Sequence, residues 1–281
     1  MLTSFYKYQG AGNDFVLIDN RAEDFKGTAA DIAKICHRRF GVGADGLMLL
    51  QNLAGYDFEM IYFNADGRAS SMCGNGGRCI TAFAARLGIV PKTENTYYFM
   101  AVDGAHDAQI LANAQVSLAM QDVDFQDIAQ PFENCYTLNT GSPHYVAFVD
   151  NLDNIDVARQ GAAIRYSEPY LSQGGINVNF VSPQIIDNQL NSLNLNSLNL
   201  ATYERGVEAP TYACGTGATA AALAYHVRTA SPSPIRLLTE GGALVVSFDT
   251  IYKENSIIIE KFVHIRLIGG AEFVFSGTLV I

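Results

Sequence analysis

One ordered set of motifs occurs twice along the chain, and it constrains the fold more than any other feature. A glycine turn leads into a strand, a polar residue follows, and a Cys-Gly-x-Gly segment then opens a run of small residues that reads as a helix. The first pass is Gly12-Asn13-Asp14-Phe15-Val16, running on to Asp19, then Asn64, then Met72-Cys73-Gly74-Asn75-Gly76-Gly77-Arg78-Cys79. The second is Gly141-Ser142-Pro143-His144-Tyr145-Val146, running on to Asp150, then Arg205, then Ala213-Cys214-Gly215-Thr216-Gly217-Ala218. Asn64 and Arg205 each lie nine positions before their cysteine. The repeat is too long for a solenoid unit. It predicts two related lobes of strands and helices facing each other, with the cysteines at the cleft.

At 281 residues the chain suits one large domain or two of ordinary size. A formal net charge of −10 and the absence of a Lys/Arg cluster exclude a nucleic-acid surface. The densest basic pair, Arg38-Arg39, falls at the end of an expected helix, where cations favour the dipole. No apolar run approaches the ~18 residues of a membrane span, and the first residues lack the apolar core of a signal peptide. Five cysteines at irregular spacing do not make a disulfide framework. A reducing, cytoplasmic setting is expected.

Short strands alternate with isolated helices. Thr28 and Asp31 form a capping-box pattern, opening a helix expected to bury Ile32, Ile35, Cys36 and Phe40 before Gly41 ends it. Strands are predicted over 47–50, 58–63, 97–102 and 115–120, then over 145–149, 176–186, 235–238, 243–248, 257–267 and 272–281. Helices are predicted near 154–161 and 216–228. The identical pentapeptides at 191–195 and 196–200 read as a long hairpin or a loop.

The chemistry follows from the two cysteines. A thiol at a helix N-terminus lies beside N–H groups without helical partners and at the positive end of the macrodipole, which favours the thiolate. The glycines beside it let the chain turn tightly and let a ligand approach the amides. Amides of Gly74, Asn75, Gly215 and Thr216 make a double anion site suited to a carboxylate. The loop is neither a Walker A motif nor a dinucleotide fingerprint. Cys73 and Cys79 are spaced unlike a structural zinc pair, so no metal is expected, and Cys79 should point into the core. Two thiols of similar acidity suit reversible inversion at a carbon: one removes a proton while the other delivers one to the opposite face. Helix ends would stabilise the charge that develops on the substrate carboxylate. No lysine lies near either loop to form a Schiff base, and no cofactor is expected.

The motifs resemble the diaminopimelate epimerase family. The matching stretches are Gly10–Phe15, Gly41–Gly46, Phe63–Gly67, Met72–Gly76, Gly141–His144, Asn177–Phe180, Tyr203–Glu208 and Ala213–Gly217, in family order across nearly the whole chain. The resemblance implies an α+β fold of two pseudo-symmetric lobes, each a mixed, mostly antiparallel sheet wrapped around a central helix. One lobe spans 1–120 plus a returning strand at 268–281 and carries Cys73; the other spans 121–267 and carries Cys214. It further implies an isomerase that interconverts LL- and meso-2,6-diaminopimelate without pyridoxal phosphate, in lysine and cell-wall precursor synthesis. Oligomeric state is left open, a homodimer among the options.

Carried over by position, Cys73 and Cys214 are the paired acid and base, and Gly74, Asn75, Gly215 and Thr216 hold the reacting carboxylate. Asn13, Asn64, Asn177, Glu204 and Arg205 line the pocket, where a guanidinium suits the distal carboxylate, and His144 flanks the reacting centre. Three positions depart from the family pattern: Ser142 stands where many relatives have Asn, Gly46 where some have Gln, and Ala209-Pro210 where an acidic pair is usual. Proline and hydroxyproline racemases are the nearest alternative, but they usually carry His where this chain has Asn75. Phenazine-biosynthesis-like isomerases lack the cysteine pair. A silent amino-acid-binding protein would not need both thiols.

Overall fold

The computed structural model describes residues 2–70, 72–183 and 196–280. They divide into two compact units, Met1–Leu118 with Gly269–Ile281, and Ala119–Ile268. In the first unit lie β1 (Leu2–Gly10), β2 (Asn13–Asp19), α1 (Ala29–Cys36), β3 (Gly46–Gln51), β4 (Phe58–Asn64), α2 (Gly74–Arg86), β5 (Thr96–Ala101), β6 (Gly104–Ile110) and β7 (Val116–Ala119). The second holds β8 (Val123–Asp124), β9 (Ala129–Phe132), β10 (Cys135–Asn139), β11 (Pro143–Phe148), α3 (Val157–Arg165), β12 (Asn177–Pro183), β13 (Asn196–Glu204), β14 (Ala209–Thr211), α4 (Gly215–Thr229), β15 (Ile235–Thr239), β16 (Gly242–Tyr252) and β17 (Ile259–Gly269). β18 (Glu272–Val280) returns to the first unit and pairs antiparallel with β1.

The repeat in the sequence is a repeat in topology. From β1 to β6 the pairings run antiparallel, parallel, antiparallel, parallel, antiparallel. From β10 through β11, β12, β13 and β15 to β16 the same alternation recurs. The parallel steps need crossovers. α1 and α3 supply the first one in each unit, and the cysteine-led helices α2 and α4 supply the second. The fold is therefore α+β, with mixed and mostly antiparallel sheets.

The two helices of a unit cover opposite faces of its sheet. α1 packs Ile32, Ile35 and Cys36 against Val16, Ile18, Leu47 and Leu49. α3 covers Tyr145, Ala147, Val178 and Phe180 in the same way. α2 meets β1, β2, β3, β4, β6 and β18, and α4 meets β10, β11, β12, β13, β15 and β16. Gly217–Ala224 of α4 is buried at every position, which explains its alanines. A helix enclosed on all sides has no polar stripe, and only small side chains let strands approach it from every direction. Because both sheet faces are covered, Phe15–Ile18 reads as a continuous apolar run.

Local expectations fared unevenly. The capping box is present, with Thr28 Oγ1 accepting from the Asp31 amide at 3.3 Å and Asp31 Oδ2 accepting from the Thr28 amide at 2.9 Å. The helix stops at Cys36, however, so Phe40 lies beyond it and is 78% exposed. Arg38 follows the C-cap His37 and pairs with Asp14 and Asp45. Of the hairpin and loop readings, the second pentapeptide fits the hairpin, because residues 196–200 begin β13, antiparallel to β12 and parallel to β15. The first one, and the end of the strand expected over 176–186, lie outside the described residues. Among the described residues no helix is long and apolar enough to cross a membrane.

Candidate active site

Cys73 and Cys214 occupy the same backbone position in their units. Each is the N-cap of its helix, with φ −118° and ψ 123° at Cys73 and φ −117° and ψ 115° at Cys214. The Cys73 carbonyl accepts from the Gly77 amide at 2.8 Å, and the Cys214 carbonyl from the Ala218 amide at 2.9 Å. A usual N-cap side chain accepts from the first-turn amides. Neither thiol does so, which leaves both sulfurs outside the capping role.

The second glycine of each motif is helical and serves packing rather than turning. A Cβ on Gly217 would sit 2.3 Å from Asn179 Oδ1, and one on Gly76 would sit 2.5 Å from Met48 Cε. Gly46 is also fixed by space, since a Cβ there would lie 2.4 Å from the Tyr62 ring and 2.5 Å from the Phe63 carbonyl oxygen.

Around Cys73 the polar side chains form a directed chain. The thiol donates to Asn13 Oδ1 at 3.5 Å, and Asn75 Nδ2 donates to the same oxygen at 3.4 Å. Asn13 Nδ2 donates to Asp45 Oδ2 at 2.6 Å. A carboxylate accepts only, so Asp45 decides which way the Asn13 amide points. Asp45 is held in turn by Arg38 at 2.6 Å and by the Asp14 amide at 3.1 Å. Burial alone would raise the Asp14 pKa, but Arg38 and the Lys7 ammonium overcome it and bring the value down to about 2. Arg78 is fully buried and fixes Asn75, donating to its Oδ1 at 2.9 Å. Its remaining bonds go to the carbonyls of Gly74 and Gly270. Asn64 closes β4 at an exposed turn, accepting from the Gly67 amide.

Around Cys214 the groups differ. Thr216 Oγ1 lies 3.4 Å from the sulfur and 2.9 Å from His144 Nε2. His144 has no exposed surface; burial, with the Arg205 charge as a lesser cause, lowers its pKa to about 3. Its Nδ1 meets Asn179 Nδ2 at 3.0 Å. Asn177 is committed to the protein: it donates to Ser142 Oγ at 2.8 Å and to the Pro143 carbonyl, and accepts from the Arg205 amide at 2.8 Å. Ser142 Oγ also accepts from the Arg205 guanidinium at 3.5 Å. The two residues thus anchor the half-buried Glu204-Arg205 corner at the end of β13. Glu208 braces that corner from below, paired with Arg165 at 3.0 Å.

Asp45, Arg38, Arg78, Asn179 and Thr202 belong to these networks, although the sequence motifs assign none of them to the site. One signal was present for Asn179. In Asn177-Val178-Asn179-Phe180 the apolar members face α3, so the asparagines alternate onto the α4 side. Polar residues repeated at period two on a buried strand mark a network.

The fold is shared with proteins of low sequence identity. A Bacillus anthracis protein of the PhzF phenazine-biosynthesis family superposes with a TM-score of 0.71 at 14% identity, covering 100% of both chains. A hydroxyproline epimerase from Agrobacterium vitis gives 0.63 at 15% identity, covering 99% of this chain and 92% of that one. In sequence, the diaminopimelate epimerase family model matches residues 5–125 and 136–260. The diaminopimelate epimerase of Flavobacterium psychrophilum is 49% identical over 276 residues, 98% of this chain and 99% of that protein. That of Chlorobaculum tepidum is 40% identical over 97% of this chain and 99% of its own length. Fold and sequence together define an isomerase of the epimerase class. The chain belongs to the diaminopimelate epimerase family.

Proposed function

We propose that this enzyme interconverts LL- and meso-2,6-diaminopimelate, with Cys73 and Cys214 as the two proton-transfer groups and no cofactor. The observation that carries this reading is the matched placement of both thiols as helix N-caps that do not cap. In one direction a thiolate takes the α-hydrogen as a proton, and the C–H electron pair stays on carbon, delocalised into the adjacent carboxylate. The other thiol delivers its proton to the opposite face and becomes a thiolate. One S–H bond forms and one breaks, so the two sulfurs exchange states and the reverse reaction uses them in exchanged roles. The reaction thus requires Cys73 and Cys214 to address opposite faces of one carbon.

Amides of Gly74, Asn75, Gly215 and Thr216 bind the reacting carboxylate, where helix ends offset the charge that develops as the proton leaves. Asn13 and Asn75 act beside Cys73, and His144 beside Cys214. Asn64, Asn177, Glu204 and Arg205 serve the remote amino-acid end; Arg205 offers a fork for a carboxylate, and Glu204 a partner for an ammonium. Asn177 also holds Arg205, whose amide donates to its Oδ1. A cytoplasmic setting suits the reading, because its reducing poise keeps thiols free.

The test is a substrate panel followed by optical rotation. LL-diaminopimelate should approach the mixture of LL and meso forms, while L-proline and trans-4-hydroxy-L-proline stay unchanged. Inversion of either imino acid, with diaminopimelate unchanged, would overturn the reading.

A further inference from the structure

The groups behind Cys214 form a hydrogen-bond chain whose direction is set at its buried end. Asn179 Nδ2 lies 3.0 Å from the Tyr145 carbonyl oxygen and 3.0 Å from His144 Nδ1. Its Oδ1 accepts from Thr202 Oγ1 at 2.9 Å. A carbonyl oxygen can only accept, so the amide nitrogen of Asn179 must be the atom that faces Tyr145 and His144. One N–H goes to Tyr145 and the other to His144 Nδ1, which must then be an acceptor. The ring proton is left on Nε2, and it points at Thr216 Oγ1, 2.9 Å away.

A threonine hydroxyl has one hydrogen to give. With the opposite tautomer, Nε2 would take that hydrogen and the sulfur would lose the Thr216 hydroxyl as a donor. With Nε2–H, the hydroxyl accepts from the ring and keeps its own hydrogen for Cys214 Sγ at 3.4 Å. A donor on the sulfur favours the thiolate. Burial, with the Arg205 charge as a lesser cause, keeps the imidazole neutral, so His144 works as an oriented dipole.

We propose that Asn179 is a positioning residue: by donating to His144 Nδ1 it fixes the Nε2–H tautomer, which reserves the Thr216 hydroxyl proton for Cys214. Asn179 is held for this task on both sides, by Thr202 and by the close approach of Gly217. The inference builds on the proposed proton-transfer role of Cys214, but its consequences are readable in the free enzyme.

Two measurements on the full chain test it. Nitrogen-15 NMR of histidine-labelled enzyme should show His144 protonated on Nε2 and bare on Nδ1, and Asn179→Asp should place a proton on Nδ1. A native ring protonated on Nδ1 overturns the inference, and needs no variant to be seen. Alkylation of Cys214 by iodoacetamide, read by mass spectrometry across pH, reports its thiolate. Thr216→Val should slow alkylation at neutral pH about 10-fold, the effect of one pKa unit, while Thr216→Ser should keep the native profile. A Thr216→Val profile identical to the native one also overturns it. Neither readout uses diaminopimelate, so an error in the substrate would leave these results standing.

Discussion

Asn13 Oδ1 lies 3.5 Å from Cys73 Sγ, and the Asp45 carboxylate forces that oxygen, not the amide nitrogen, toward the sulfur. The second unit offers the other polarity: a hydroxyl 3.4 Å from Cys214 Sγ, fed by a histidine that can donate. Matched backbones thus carry unmatched neighbours. In the proposed mechanism an acceptor suits the sulfur that gives its proton, and a donor suits the one that holds a thiolate.

Replacing Asp45 removes what orients Asn13. In Asp45→Asn the Asn13 amide can turn its nitrogen toward Cys73, and the acceptor is lost. The variant should fold, because Arg38 keeps its bond to Asp14. Its kcat should fall by about tenfold or more, a fraction of what a proton-transfer group contributes. Steady-state kinetics check this; an unchanged kcat would separate Asn13 from the chemistry.

Asp14 should account for part of the acid sensitivity of the fold. Its carboxyl titrates at about 2 against an ordinary 3.8. The unfolded chain therefore binds the proton first as pH falls. The stabilisation is whole above pH 3.8 and drains away as pH drops through about 2. Asp14→Asn should lose on the order of 3 kcal/mol near neutral pH, because the buried Lys7 ammonium loses its counter-charge. It should also flatten the stability curve between those two values. Denaturant titrations at several pH values read both effects.

The second glycines of the two motifs should respond differently to alanine. Gly76→Ala meets the flexible end of Met48, which can move, and alanine gains about 0.5–1 kcal/mol of helix preference. Gly217→Ala meets Asn179 Oδ1, which Thr202 and His144 hold in place. It should cost about 3 kcal/mol and lower activity together with stability. Thermal unfolding and turnover of the two variants make the comparison; equal behaviour would mean that the Asn179 network is slack.

Much of this was legible in the sequence, for reasons that can be named. The repeated Cys-Gly-x-Gly segments gave both central helices and their cysteine N-caps, because glycine and small residues mark a helix that strands approach closely. Cys36 and Cys79 were read as core, and both are buried. Phe40 was misread because the helical spacing continues past His37, where the backbone has already turned extended. β1 escaped notice since the buried Lys7 interrupts its apolar alternation, whereas β10 and β13 do alternate, as Tyr136-Thr137-Leu138 and Leu198-Asn199-Leu200, and were overlooked. Polar partners such as Asp45, Arg78 and Asn179 were invisible for a different reason. Their significance lies in which atom faces which, and no one-dimensional spacing records that.

Removing either sulfur should disable inversion. Cys73→Ser and Cys214→Ser are each expected to lower epimerisation by about 10²–10⁴-fold with little effect on thermal stability, since a hydroxyl is a far poorer acid–base partner at neutral pH. Polarimetry and thermal unfolding of the two variants provide the check, and a variant that keeps full activity would strike its sulfur from the scheme.

The most direct test follows the hydrogen itself. In deuterated water, at low conversion of LL-diaminopimelate, the account predicts meso product carrying one α-deuterium while the remaining LL substrate stays unlabelled. Each face then has its own proton-transfer group. Deuterium appearing equally in substrate and product, or a product that retains the original hydrogen, would mean that one group serves both faces, and the two-thiol mechanism would be wrong.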